Sequence, residues 1–391
     1  MLKDILQNNY VHLNIPSILH IAPENTAGVP YNVMEMQNQF RLPARLITFY
    51  KIPFDFPEDI CLNLKLPRGR LAMGWRKFKQ AKLHEELREQ KADKYSHLPY
   101  FAPRNFFENL YLKYREKKNK ISFAEALNKV NSSDFPVIHF DGGIDFFSDS
   151  RTAKKWKLDG KKIVNCYFGD DLRTRGIVKE MDELSDLNLT FEYDHTLRHP
   201  NINFLFFPFD NSAINFTGDE DYDASGTLKI VHAPTNRIIK GTPEILSAID
   251  EVRKHRKIEF ILLEDLPREK VIEAKFRCHI AIDQIGNRGG TGYGINSLET
   301  LSMGIPTITD MNCGFDTWLP ENPFITADKD TLAEKIIELI DNRDLRMKKR
   351  KESRAWVEKY HSYKSVFAEL LKLYKNHNII EKDFKLPGIE T

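Results

Sequence analysis

No two of the four cysteines (Cys61, Cys166, Cys278, Cys313) stand close enough to form a CxxC pair or a dense spacing. That argues against a disulfide framework and against a zinc-finger type site. Cys166 and Cys278 lie in apolar runs and are expected to be inert core residues. No stretch reaches the roughly 18 uninterrupted apolar residues of a membrane span. The first residues lack the basic start, long apolar stretch and small-residue cleavage site of a signal peptide. A cytoplasmic, reducing location is the expectation. Net charge is also scarce: 58 Lys and Arg against 56 Asp and Glu leave +2, so no nucleic-acid partner is implied. Repeats of solenoid period are missing too.

What is present is a globular composition, 41% hydrophobic and 29% charged, in a chain of 391 residues. That length suggests two domains, or three. Short β-rich runs alternate with helical patterns, the signature of an α/β fold with parallel strands buried on both faces. Strands are expected at Ser17–Ala22, Ala44–Thr48, Val137–Phe140, Lys162–Tyr167, Asn203–Phe206, Leu228–His232, Glu259–Leu263, Ile280–Asp283 and Pro306–Thr309. Between 207 and 227 the chain is rich in Asp, Asn and Gly without helical period, and Asp219–Asp223 reads as a solvated linker. The expected division is a first domain at 1–207, a second at 226–355, and a C-terminal helix and tail at 356–391.

A helical insertion is expected within the first domain at about 62–120. Lys65 to Lys120 holds 16 Lys and Arg against 6 Asp and Glu, a local +10 against −8 for the rest of the chain. Trp75, Phe78, Phe106, Phe107 and Tyr111 are mixed among those charges, a composition that suits an acceptor surface or an interfacial helix on an anionic membrane. An ordinary solvated helical pair whose aromatics pack on the first domain is the equal alternative.

The densest chemistry lies in Gly290–Pro306, GTGYGINSLETLSMGIP. Its glycines make a turn that enters a helix at Asn296–Met303, so backbone amides and the helix dipole can meet a phosphate. Glu299, one turn into that helix, can accept two hydrogen bonds from a ribose diol. Val231–Leu246 reads as strand, loop and helix, with Arg237 and Lys240 placed to neutralise a diphosphate leaving group. In the first half, Gly28 follows a strand in SILHIAPENTAGVP, a strand ends in His139 and Asp141, and FGDDLRTRG offers Asp170, Asp171 and Arg173. Loops at strand ends are favoured ligand sites in such folds.

The glycine-rich stretch resembles the donor site of the large retaining family of GT-B glycosyltransferases, which includes sucrose synthase and many bacterial polysaccharide enzymes. That family carries two glutamates eight residues apart around a Gly-aromatic-Gly turn. Here the second is Glu299 and the turn is Gly292-Tyr293-Gly294, while Thr291 stands where the first glutamate would be. The resemblance covers most of residues 17–50 and 135–375. It implies two Rossmann-like domains facing across a cleft and a nucleotide-sugar donor, UDP- or GDP-linked. The sugar would be a hexose passed to a glycan or lipid-linked acceptor, with retention and without metal or other cofactor. Donor contacts would come from Gly28, Arg237, Lys240, Gly292, Tyr293, Gly294, Ile295, Asn296 and Glu299. Arg237 and Lys240 would stabilise the leaving diphosphate, and His139 and Asp171 would line the acceptor side. Two other readings stay open: a nucleotide-sugar 2-epimerase on the same fold, and a catalytically silent nucleotide- or glycan-binding subunit, which Thr291 favours.

Overall fold

The computed structural model describes residues 15–52, 56–64, 106–169, 171–212, 214–217, 226–286, 292–311, 314–386 and 388–389. Seven strands, β1 (Ile18–Glu24), β2 (Ala44–Tyr50), β3 (Ile60–Cys61), β4 (Val137–Asp141), β5 (Lys162–Tyr167), β6 (Leu187–Thr190) and β7 (Ile202–Phe204), form one sheet in the order β3-β2-β1-β4-β5-β6-β7. Five more, β8 (Leu228–His232), β9 (Ile258–Leu262), β10 (Ile280–Ile282), β11 (Thr307–Thr309) and β12 (Ile325–Thr326), form a second in the order β12-β11-β10-β8-β9. Every pairing is parallel, with His20 opposite His139 and Ile282 opposite His232. Each order reverses once, between β1 and β4 and between β8 and β10, and ligands of open α/β sheets bind in the crevice at such a reversal. The fold is the expected two-sheet α/β architecture of GT-B type.

Among the described residues, twelve helices accompany the strands. In the first half they are α1 (Val29–Gln39), α2 (Phe106–Lys129), α3 (Arg151–Leu158), α4 (Lys179–Leu184) and α5 (Tyr193–Thr196). Then come α6 (Thr242–Arg253), α7 (Arg268–Lys275), α8 (Ile295–Ser302), α9 (Phe315–Trp318), α10 (Leu332–Asp341), α11 (Arg343–Tyr360) and α12 (Tyr363–Asn376). Successive side chains point to opposite faces, so the near-continuous apolar runs of these strands make both sheet faces apolar. Ile18 and Ala22 of β1 join a core with Val33 of α1 and Phe367, Leu370 and Leu371 of α12. Leu19 and Ile21 join the opposite core with Phe123 of α2 and Trp156 of α3.

The tail was expected as one helix and is two, broken at His361-Ser362, where the Ser362 side chain caps α12. The break lets α11 pack with Trp356 and Val357 on the second sheet while α12 returns to the first. Phe367 stacks on Phe40 at 4.9 Å. Burying each such side chain contributes about 1.5–3 kcal/mol, so the last helix holds firmly to the first lobe. The chain therefore crosses between the sheets twice, and the crossings touch. Phe209 donates its N–H to the His361 carbonyl at 2.8 Å, and the His361 ring bonds the Phe207 carbonyl at 2.8 Å.

Strands β3, β6 and β12 were not foreseen. The basic segment 65–105 lies outside the described residues, as does Asp219–Asp223. The described part of the insertion, α2, runs past the expected end at 120 to Lys129, because Phe123 and Ala126 anchor it to the sheet. Among the described residues no helix is long and apolar enough to cross a membrane. Cys166 and Cys278 are buried, and burial pushes the Cys278 thiol up to about 12.

Three histidines are held neutral inside the molecule. Burial pushes His361 and His195 down to about 3 and His232 down to about 4, against the partial support of nearby carbonyls and, for His195, of Asp194. Each gains a proton on unfolding long before it does in the native state. Stability is therefore full above the unfolded imidazole value of about 6.5 and is lost as pH falls below it. We expect the melting temperature to decline steadily from pH ~6.5 downward. A melting temperature flat to pH ~4.5, where only carboxylates begin to titrate, would show that these rings are not buried neutral.

Candidate functional site

The reversal in the second sheet is where the polar residues gather. After β8 the loop reaches Gly241, which caps α6 in a left-handed conformation (φ 68°). A Cβ on Gly241 would sit 1.9 Å from the Ile285 carbonyl oxygen, so only glycine lets this loop lie against the segment after β10. That approach brings Lys240 Nζ to 2.8 Å from Asp283 Oδ1 and 3.1 Å from Gln284 Oε1. Asp283 is buried, and its carboxylate also accepts from Asn296 Nδ2 at 3.0 Å and Ser297 Oγ at 2.7 Å at the start of α8. Burial raises the Asp283 carboxyl, but Lys240, Ser297 and Asn296 together outweigh it and hold the group below its usual range.

This network leaves donors to spare. An ammonium has three N–H groups, and two of those on Lys240 are taken. The backbone N–H groups of Ile295 and Asn296, in the first turn of α8, have no partner among the described residues. Orphan amides at a helix start, beside an ammonium, form an anion cradle. Arg237 stands further out, about half exposed, 3.5 Å from Glu264. Since Lys240 and Arg237 each face a carboxylate, the local charge is balanced and the amides carry the excess pull on an anion.

The glycine-rich turn frames the same spot. Gly292 is buried and receives the Thr309 hydroxyl on its carbonyl. Tyr293 stacks on Phe324 and Phe315 at 5.0 and 5.7 Å, and its hydroxyl bonds His361 Nε2 at 3.1 Å. Gly294 caps α8. Glu299 lies on the buried face of α8, 5% exposed, with Oε2 at 2.6 Å from Lys275 Nζ and Oε1 at 2.9 Å from Arg268 Nε. Thr291 is outside the described residues.

At the first sheet's reversal, Gly28 caps α1 with φ 76°, and a Cβ there would press on Phe56 at 2.9 Å. Opposite it β4 ends in Asp141, followed by Gly142 and Gly143. Asp171 sits in the turn after β5, accepts the Phe168 N–H at 2.9 Å and pairs with Arg175 at 3.0 Å; Arg175 in turn donates to the Gly142 carbonyl. Asp171 is thus at the strand ends as expected. His139 is not: it lies mid-strand, 1% exposed, bonded to Tyr374 of α12 at 2.6 Å. Arg173 turns away to a buried cluster with Glu192 and Asp194. Tyr193, just after β6, stacks on Phe315, just after β11, at 4.9 Å, so the two lobes touch there.

Sequence reasoning missed Asp283, Gln284, Ser297, Lys275 and Arg268. The signal for the first two was available: AIDQIG ends an apolar strand in an acid and an amide immediately before the glycine-rich turn. No local pattern marked Lys275, whose partner is 24 residues away.

No protein-family model and no curated protein matches the chain. Solved structures do match its fold. Sucrose-phosphate synthase from Thermosynechococcus elongatus superposes with a TM-score of 0.55 at 10% identity, over 92% of this chain and 98% of that one. A putative UDP-N-acetylglucosamine 2-epimerase from Listeria monocytogenes gives 0.51 at 10% identity, over 95% and 99%. An alpha-glucosyltransferase solved with UDP gives 0.55 at 10% identity, over 92% and 99%. At such identities the likeness establishes the two-lobed fold.

The buried pairs make a direct prediction. Lys240→Met strands Asp283, and Glu299→Gln strands the buried Lys275 ammonium, so each costs about 3–5 kcal/mol of stability in denaturant unfolding. The Asp283 contribution exists above the unfolded carboxylate range and disappears as pH falls through it, so Lys240→Met also flattens the acid limb of the stability curve. Loss under about 1 kcal/mol in either variant would mean the pairs are solvated.

Proposed function

We propose that this protein is a glycosyltransferase moving a hexose-type sugar from a UDP or GDP donor to a glycan or lipid-linked acceptor. The observation that carries the reading is the anion cradle at the second reversal: the spare Lys240 N–H beside the orphan amides of Ile295 and Asn296. A diphosphate fits it, because charge grows on the phosphate oxygens as the glycosidic bond breaks, and preorganised donors are strongest there. Lys240 and Arg237 meet that charge, the Gly292–Asn296 turn holds the phosphates, and Glu299 takes the ribose. Amides and cations serve the diphosphate in place of a metal, with retention at the sugar. Gly28 approaches the donor from the first lobe, and Asp171 with Arg175 lines the acceptor side beside Gly142. His139 supports that side from within the sheet. UDP is the first choice of nucleotide, since the alpha-glucosyltransferase of the same fold was solved with it.

The 2-epimerase of the same fold keeps a second reading in play. An epimerase converts its donor with no acceptor present, and a silent subunit binds nucleotide yet releases none from any donor.

The test begins with melting temperatures in UDP, GDP, ADP and CMP. At 100 times its Kd a ligand adds about 2.7 kcal/mol, which is readily seen. Sugar release is then followed in Arg237→Ala. Arg237 is about half exposed, so this variant should melt with the parent. Turnover should fall about 100-fold, as when one electrostatic stabiliser is removed. If no nucleotide raises the melting temperature, or if Arg237→Ala turns over like the parent, the reading fails.

A further inference from the structure

Behind the first reversal, under α1 and α12, lies a polar layer of which the proposed transfer uses only His139, as a support. His20 Nδ1 is 3.1 Å from Asp141 Oδ2, and His20 Nε2 is 2.8 Å from Gln37 Oε1. Gln37 Nε2 donates to the Tyr374 hydroxyl at 3.2 Å, which meets His139 Nε2 at 2.6 Å. The rings of His20 and His139 lie 4.4 Å apart, and all five side chains are almost wholly buried. The second nitrogen of His139, Nδ1, is buried without any hydrogen-bond partner.

Proton accounting shows what this layer needs. With Gln37 Oε1 facing it, His20 Nε2 carries a hydrogen, and a neutral ring then turns the Nδ1 lone pair at the Asp141 carboxylate, where a second ring proton or a cation must separate them. With the Gln37 amide turned over, His20 Nδ1 donates to Asp141 instead; in both arrangements His139 Nδ1 has no partner. A second proton would satisfy His20 and Asp141 but leave His139 Nδ1 buried and orphaned. A metal ion would satisfy all three groups. One ligand atom from each of His20, His139 and Asp141 lies within 4.8 Å of the other two. Tetrahedral metal bonds of about 2.0–2.2 Å place ligand atoms about 3.3–3.6 Å apart, so a pair as wide as 4.8 Å must close by about 1.2–1.5 Å on binding.

We propose that His20 Nδ1, His139 Nδ1 and the Asp141 carboxylate bind a divalent transition-metal ion, zinc being the best fit to two imidazoles and a carboxylate. The outer shell is already in place. Metal-bound histidines donate their other N–H to a fixed acceptor, and here those acceptors are Gln37 of α1 and Tyr374 of α12. The site is structural. It ties β1 to β4 and, through Tyr374, holds the returning helix on the first lobe, apart from the diphosphate cradle. This inference stands whether or not the chain transfers a sugar.

The full chain is expressed with zinc in the medium, purified without chelator and measured for metal. About one zinc per chain is expected, with cobalt giving visible absorption bands on binding. Chelator should remove the metal and lower the melting temperature, and zinc should restore it. His139→Gln and Asp141→Asn, each checked for native circular dichroism, should lose metal affinity by ~10-fold or more. Should either variant fail to fold, the parent's metal content and reversible melting shift decide the matter. Zinc far below stoichiometric with no cobalt absorption and no melting shift would overturn the proposal. So would metal retained in both folded variants, which would place it elsewhere. Neither result touches nucleotide binding.

Discussion

The geometry of this molecule depends on the double crossing at His361. Two passes of backbone join the sheets, and they are tied to each other by the Phe209 N–H on the His361 carbonyl and the His361 ring on the Phe207 carbonyl. A carbonyl only accepts, so Nδ1 of the ring carries the hydrogen. Nε2 is then an acceptor for the Tyr293 hydroxyl. One neutral ring thereby reaches from the crossing to the glycine-rich turn. Phe206, Trp356 and Tyr360 surround it, so the hinge is dry and its tautomer is fixed by partners on both sides.

Buried charge follows a consistent rule in the second lobe. Asp283 and Glu299 are both nearly inaccessible, and each is neutralised by a lysine from a different element: Lys240 before α6, and Lys275 at the end of α7. Arg350, fully buried, is satisfied by the carbonyls of Gly304 and Thr217, so α11 also fastens the start of β11 and the linker. A lone buried ion would be prohibitive, and pairing restores the loss only where further hydrogen bonds complete each group. Asn296 and Ser297 complete Asp283. That is why the start of α8 is rigid enough to present its free amides in one direction.

Much of this was legible in the chain itself. Both faces of the parallel strands are apolar, so runs such as Ile18–Ala22 and Ile280–Ile282 stood out. β3 and β12 have two residues each and sit on sheet edges, too short to show a period. β6, LNLT, holds only two strongly apolar residues, and its polar Asn188 is satisfied by Asn165 and Asp182 from neighbouring elements. The tail broke where no proline or glycine warned of it. His361 ends α11 because its own ring and carbonyl are claimed by the linker, a tertiary reason that local propensity does not contain. The same holds for His139: a histidine near a strand end looks the same in sequence whether it faces a cleft or Tyr374 from the other end of the chain.

The two partners of Glu299 differ in a way that bears on its use. Lys275 is 2% exposed and fixed within the lobe, whereas Arg268 is 61% exposed and reaches Oε1 from the first residue of α7. An exposed ion pair contributes about 0–1 kcal/mol and is readily replaced, while the buried one is costly to break. On the reading proposed above, a ribose diol gains Glu299 by taking the place of Arg268 at Oε1 while Lys275 keeps the carboxylate oriented. The carboxylate then enters binding preorganised, and the guanidinium, once displaced, is free to swing toward added negative charge. A glutamate that looked free in the sequence is therefore held by one buried partner and one exposed partner.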